Sequence, residues 1–134
     1  GNDTPNKKNF VKYFHDEKQY ILENKIFTHV MSLKDVYLGF DLEKYGVNNS
    51  IYSGLKVSIE KRDTFRNLCL VSNRKIIGVF SNSFQTIFDK KLREGFRIES
   101  SIIDFILLWE DKEKKKILKH PLCKIILKKF DELL

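Results

Sequence analysis

The chain has little of what staples or interrupts a fold: two cysteines, two prolines and six glycines in 134 residues. Cys69 and Cys123 stand apart in apolar surroundings, with no C-x-x-C spacing. That excludes a disulfide framework and a thiolate metal site, and the expectation is two buried thiols in a reducing compartment. The histidines, His15, His29 and His120, are scattered without metal-ligand spacing, so no metal is expected. Long hydrophobic runs are missing too. The longest, Phe105 to Trp109, falls far short of the roughly 20 residues that cross a bilayer as a helix. The opening Gly1 to Asn9 is polar and lacks the pattern of a secretory signal.

Local signatures of catalysis are also lacking. There is no G-x-S-x-G, no G-x-x-x-x-G-K-[ST], no G-x-G-x-x-G and no H-E-x-x-H. Carboxylates are spread among lysines in the manner of solvated helix surfaces. A binding module is expected rather than an enzyme, with no cofactor.

What is present suits one soluble globular domain. The chain is 42% hydrophobic and 32% charged, with eleven Phe and five Tyr for its core. A net charge of +7 leaves room for an acidic partner: nucleic acid, a phosphopeptide or another acidic surface. It does not choose among them.

Along the chain, residues 1–8 read as a disordered lead-in. Phe10, Val11, Phe14, Ile21 and Leu22 then have helical spacing, which predicts an N-terminal helix over 9–23. Ile26 to Leu33 reads as a first strand, and Lys34 to Tyr45 fits either a helix or a strand and turn. Residues 46–50 form the clearest loop. Leu55, Val57 and Ile59 alternate with Lys56, Ser58 and Glu60, the period of a strand with one buried face. Leu68 to Val71 is a continuous apolar run, as in a strand covered on both faces. Ile76 to Phe80 follows as an added edge strand or the start of an enlarged loop.

Ser81-Asn82-Ser83 offers a cap for a helix over Phe84 to Glu94, burying Phe84, Ile87, Phe88 and Leu92, with Gly95 as its stop. Phe96 to Ile98 reads as a short strand. Ser101 with Asp104 three residues on resembles a capping box, and Ile102, Ile103, Ile106, Trp109 and Ile117 predict a strong helix ended by Pro121. A last amphipathic helix is predicted over 122–134. Strands separated by helical segments favour an α/β domain over 9–134, built on a small, mostly parallel sheet.

The segments G-L-K-V from Gly54, D-T-F-R-N-L-C-L-V-S-N-R-K from Asp63 and K-K-L-R-E-G-F-R-I-E-S-S-I-I-D-F-I from Lys90 resemble a BRCT domain. With the N-terminal helix, the resemblance is to the helix-extended variety. That variety is known from the regulatory subunit of the Dbf-dependent replication kinase and from a yeast silent-chromatin protein. It covers about residues 9–110. Two departures are that Ser53-Gly54 stands where a Gly-Gly pair is usual, and Ile103 where a helix Trp usually anchors the core.

The resemblance implies a nuclear, chromosome-associated protein–protein interaction module, in replication-kinase regulation, cell-cycle control or chromatin silencing. It also implies a phosphorylated Ser/Thr peptide as ligand. Ser32, with Thr28 as second candidate, would supply the hydroxyl, and Lys90 or Lys91 the cation, with Arg74 and Lys75 at the same end of the sheet.

The order of elements also fits an RNA-recognition motif binding RNA or single-stranded nucleic acid. On that reading Lys75 to Phe80 and Ile103 to Trp109 are strands, and Phe27, Tyr37 and Phe80 are candidates for stacking bases. The two readings divide on whether Ile102 to Trp109 is strand or helix.

Overall fold

A computed structural model describes residues 23–45 and 50–131. The predicted lead-in over 1–8, nearly all of the predicted helix over 9–23, and loop positions 46–49 lie outside the described residues. The expected alternation of strands with several helices is not found: two three-stranded antiparallel sheets carry a single α-helix among the described residues.

Strand β1 (Glu23–Val30) is followed by short 3-10 turns at Leu33–Asp35 and Leu42–Tyr45, which settle the ambiguous segment. Strands β2 (Ser58–Glu60), β3 (Cys69–Ser72) and β4 (Lys75–Val79) form one sheet in that order. Cys69, Leu70 and Val71 are buried together, as the apolar run predicts. Asn73 and Arg74, both at positive φ (50° and 67°), close β3 onto β4 in the two-residue turn that matches strand twist. Ile76 to Phe80 is a real edge strand, and all of it is buried.

Helix α1 (Asn82–Arg93) begins where the serines predict. Ser81 is its cap, and Ser81 Oγ accepts the Phe84 N–H at 3.2 Å. Phe84 and Phe88 fill the space over β4, with their ring centroids 4.6 and 5.2 Å from that of Phe80. Each such ring removed from water contributes on the order of 1.5–3 kcal/mol. Gly95 at φ 100° carries the chain out of the helix, a conformation open to glycine without strain.

The C-terminal third corrects the prediction. Neither the helix over Ile102 to Ile117 nor the one over 122–134 forms. In their place β5 (Arg97–Asp111) and β6 (Lys116–Asp131) make a long antiparallel hairpin, and β1 pairs with the other edge of β6. The sheet is therefore antiparallel in the order β1-β6-β5, and the fold is not the mostly parallel α/β architecture of a BRCT domain.

The physical reason lies in burial on two faces. Leu118, His120 and Leu122 are buried on one face of β6, while Cys123, Ile125 and Leu127 are buried on the other. The buried face changes at Leu122–Cys123, with Ile117 56% exposed before the change and Lys124 exposed after it. No single alternation therefore runs through the strand, and its apolar positions also satisfy a helical period. Pro121 is tolerated because β1 ends opposite Lys124, so its missing N–H falls beyond the last β1 pair. The lysine-rich Lys112 to Lys115 is a turn, in which Asp111 Oδ1 accepts the N–H groups of Glu113 (3.0 Å) and Lys114 (3.1 Å).

Candidate ligand cleft

The residues expected to hold a phosphate lie at separate places. Thr28 is exposed in the middle of β1, opposite Ile126. Ser32 precedes the first 3-10 turn, where its N–H donates to Asp35 Oδ2 at 2.9 Å and its hydroxyl is buried without a partner. The same turn packs on the start of α1, since Ser81 Oγ donates to Lys34 O at 2.8 Å. Lys90 and Lys91 occupy the last turn of that helix, roughly 13 Å further along it. Lys91 is engaged there: its Nζ sits 4.2 Å from the Phe27 ring centre and 3.6 Å from Glu94. Arg74 and Lys75 are at the far end of β4, and Arg74 O accepts from Arg62 Nη2 at 3.2 Å. The structure does not bring hydroxyl and cations together.

Of the three aromatics considered for stacking, one is presented to solvent. Phe27 is half-buried under Lys91, and Phe80 is wholly buried against Phe84 and Phe88. Tyr37 is 50% exposed, and it lines a cleft of about 440 Å³ together with Phe65, Arg66, Asn67, Phe80 and Asn82.

The cleft is assembled where four pieces of chain meet. Tyr37 is held by its N–H to Val79 O at 2.8 Å, which extends β4 by one bonded partner. Its ring lies back over Gly39, where an added Cβ would sit 2.7 Å from Tyr37 Oη. Phe65 is braced behind by Phe40 and Tyr45, with both centroid distances 5.7 Å. Asn67 Nδ2 donates to Phe80 O at 3.0 Å and to Asn82 Oδ1 at 2.8 Å, tying the loop before β3 to the start of α1. One residue on, the Leu68 N–H donates to Gln85 Oε1 at 2.8 Å.

Those bonds determine what chemistry remains on the cleft wall. Asn67 has spent both amide hydrogens, so its Oδ1 is left as an acceptor. Asn82 Oδ1 also receives Arg66 Nη2 at 3.4 Å, which leaves the Asn82 amide hydrogens and the other guanidinium hydrogens as donors. Among the described residues no carboxylate lines the cleft. It therefore offers apolar rings, one fixed cation, and amide donors and acceptors.

Other polar groups are committed to structure. His29 Nε2 and Asp35 Oδ2 pair at 2.9 Å, with the His29 ring stacked on Phe84 at 4.7 Å. Burial pushes the Cys69 thiol up, and the Cys123 thiol up to about 11, so neither is a ready thiolate. Among the described residues no cluster of His, Cys, Asp or Glu could hold a metal ion.

Asn82 was expected only in the helix cap, and Phe65, Arg66 and Asn67 only within the BRCT-like segment; none was expected at a functional site. The available signal was an aromatic, a cation and an amide in succession, F-R-N, in a polar loop just before a fully apolar strand. Comparison with protein-family models, with curated proteins and with solved structures found no match to this chain.

Proposed function

We propose that this domain is a non-enzymatic binding module for single-stranded nucleic acid, with the cleft at Tyr37 and Phe65 taking an unstacked base. The observation that carries this reading is the cleft's composition. It combines an exposed tyrosine, a braced phenylalanine, one arginine and two amides without a carboxylate, on a chain of net charge +7. Single strands are held by stacking on aromatic rings plus cations along the backbone, and base edges are read by amide and guanidinium groups. Both segments that the nucleic-acid reading takes as strands, Lys75 to Phe80 and Ile103 to Trp109, fall on β4 and β5. The topology is nonetheless not that of an RNA-recognition motif, because the described strands divide into two sheets.

Fluorescence anisotropy of a labelled oligothymidylate of about 12 nucleotides tests the proposal. Binding is expected at low salt, weakening steadily as salt rises. Tyr37→Ala is expected to weaken it roughly tenfold, within the usual cost of removing one stacking ring. Absent or salt-insensitive binding overturns the reading, as does a Tyr37→Ala protein that binds like wild type. A phosphoserine peptide that binds tighter than its unphosphorylated twin, and is not displaced by the oligonucleotide, would assign the domain to phosphopeptides instead.

A further inference from the structure

The two sheets are joined along a seam that closes for only part of its length. Beside β5, the chain leading into β2 forms three backbone bonds: Gly54 N–H to Ile103 O at 2.7 Å, Ile103 N–H to Leu55 O at 2.9 Å, and Val57 N–H to Ser101 O at 2.9 Å. An antiparallel ladder continues with the reciprocal bond, Ser101 N–H to Val57 O. Among the described residues that bond is not made. The register of β5 shifts between Ile98 and Ser100, a bulge with Glu99 as the extra residue, and such a bulge bends an edge away from its neighbour. Past Ser101 the strands part, and a groove of about 420 Å³ opens between them.

The groove has the chemistry of an unfinished sheet. By the alternation along a strand, the groups of Ser101 on β5 and of Ile59 on β2 point into the gap. Its walls are apolar, with Ile98 41% exposed and Val57, Ile59 and Ile102 half-buried. Its charge is one-sided. Glu99 is already answered by Lys128 Nζ at 3.4 Å, while no carboxylate among the described residues lies within ion-pair distance of Lys56. Unpaired strand edges are templates for another strand, and natural sheets usually cover or charge them.

We propose that this seam is a strand-addition site for an extended peptide that carries a carboxylate side chain beside apolar residues. The peptide backbone continues the ladder on the β5 edge from Ser101. Its apolar side chains cover Ile98 on the face shared with Val57 and Ile59, and its carboxylate, on the opposite face beside Ile102, meets Lys56. This mode takes affinity from main-chain bonds and specificity from alternate side chains. The site is separate from the Tyr37 cleft and does not depend on the nucleic-acid reading.

The probe is a terminally blocked octapeptide alternating valine and glutamate, added to the whole chain. Amide hydrogen exchange is followed by NMR, together with a titration. Bound peptide is expected to slow exchange at Ser101 and Ile59. N-methylation of every second peptide nitrogen on the pairing edge is expected to weaken binding at least tenfold. Lys56→Glu, a change at an exposed side chain, is expected to weaken it about fivefold, with circular dichroism unchanged. Unaltered exchange at both amides, or equal binding of the N-methylated peptide, overturns the proposal. Concentration-dependent dimerisation that protects the same amides without peptide also overturns it, in favour of a second copy of the chain.

Discussion

The segment from β3 through α1 and the β5–β6 hairpin are both well packed, yet they are held in opposite ways. The first is local and apolar. A two-residue turn closes β3 on β4, a serine caps the helix, and Phe80, Phe84 and Phe88 interlock within nine residues of one another. The hairpin instead depends on partners far away in sequence, and several of them are polar. His120, 2% exposed, donates from Nε2 to Leu38 O at 3.1 Å. Burial holds its pKa below the ordinary histidine value, which suits a neutral ring making that single bond. At the hairpin tip Lys116 Nζ bonds Asp41 Oδ2 at 2.8 Å and Glu43 Oε1 at 3.2 Å, and Lys114 Nζ bonds Gly39 O at 2.9 Å. The local unit is shaped by its own residues; the hairpin is shaped by what it lies against.

The largest expected effect tests the apolar half. Phe84→Ala removes a fully buried ring and is expected to cost about 3–5 kcal/mol in urea unfolding. A cost below that of any hairpin-tip substitution would reverse the comparison.

Next comes the polar half. Asp41 is buried and takes the Lys116 bond, so Asp41→Asn is expected to cost on the order of 1–2 kcal/mol at neutral pH. The Lys116 hydrogen bond is also the main reason the Asp41 carboxyl titrates below its ordinary value of 3.8. A depressed folded pKa stabilises above the unfolded value and is lost as the pH falls through the folded one. The gap between wild type and Asp41→Asn should therefore be widest above the ordinary value of 3.8 and narrow as the pH falls through the lower folded one. A gap that stays constant would show that the charge on Asp41 contributes nothing.

Ser81→Ala is expected to cost about 1 kcal/mol through loss of the Phe84 N–H partner, read as a lower urea midpoint with unchanged slope. The smallest effect has the opposite sign. Arg74 sits at φ 67°, where a Cβ is strained, so Arg74→Gly is expected to raise stability by about 0.5–1 kcal/mol. A loss of stability would mean that the Arg74 side chain contributes more than its backbone strain costs.

What was legible in the sequence follows the same division. The Ser81 cap, the Phe84 and Phe88 face, the Gly95 stop and the apolar strand from Leu68 all rest on neighbours within a few residues. Ile102 to Leu127 was misread because Ile102, Ile103, Ile106 and Trp109 satisfy a helical period as well as a strand's. Only the pairing of β5 with β6, whose buried face changes at Leu122–Cys123, separates the two. The cleft was half legible. Tyr37 stood out as an aromatic, but Phe65, Arg66 and Asn67 belong to a stretch that reads as a connector until Asn67 is seen bonding Phe80 and Asn82.

The sequence put Ile87 in the core, where it is 44% exposed, and a cap at Ser101, where β5 runs. What it determined by itself was the Ser81 cap, the Gly95 stop, the apolar strand from Leu68 and the excess positive charge. Those properties are local or additive, and they survive without knowledge of neighbours. Tertiary structure alone decided that the last third is a hairpin, that it closes against Leu38 to Glu43, and that Tyr37, Phe65, Arg66 and Asn82 share one cleft. Strand pairing and clefts are relations between residues distant in sequence, and no window along the chain contains both partners.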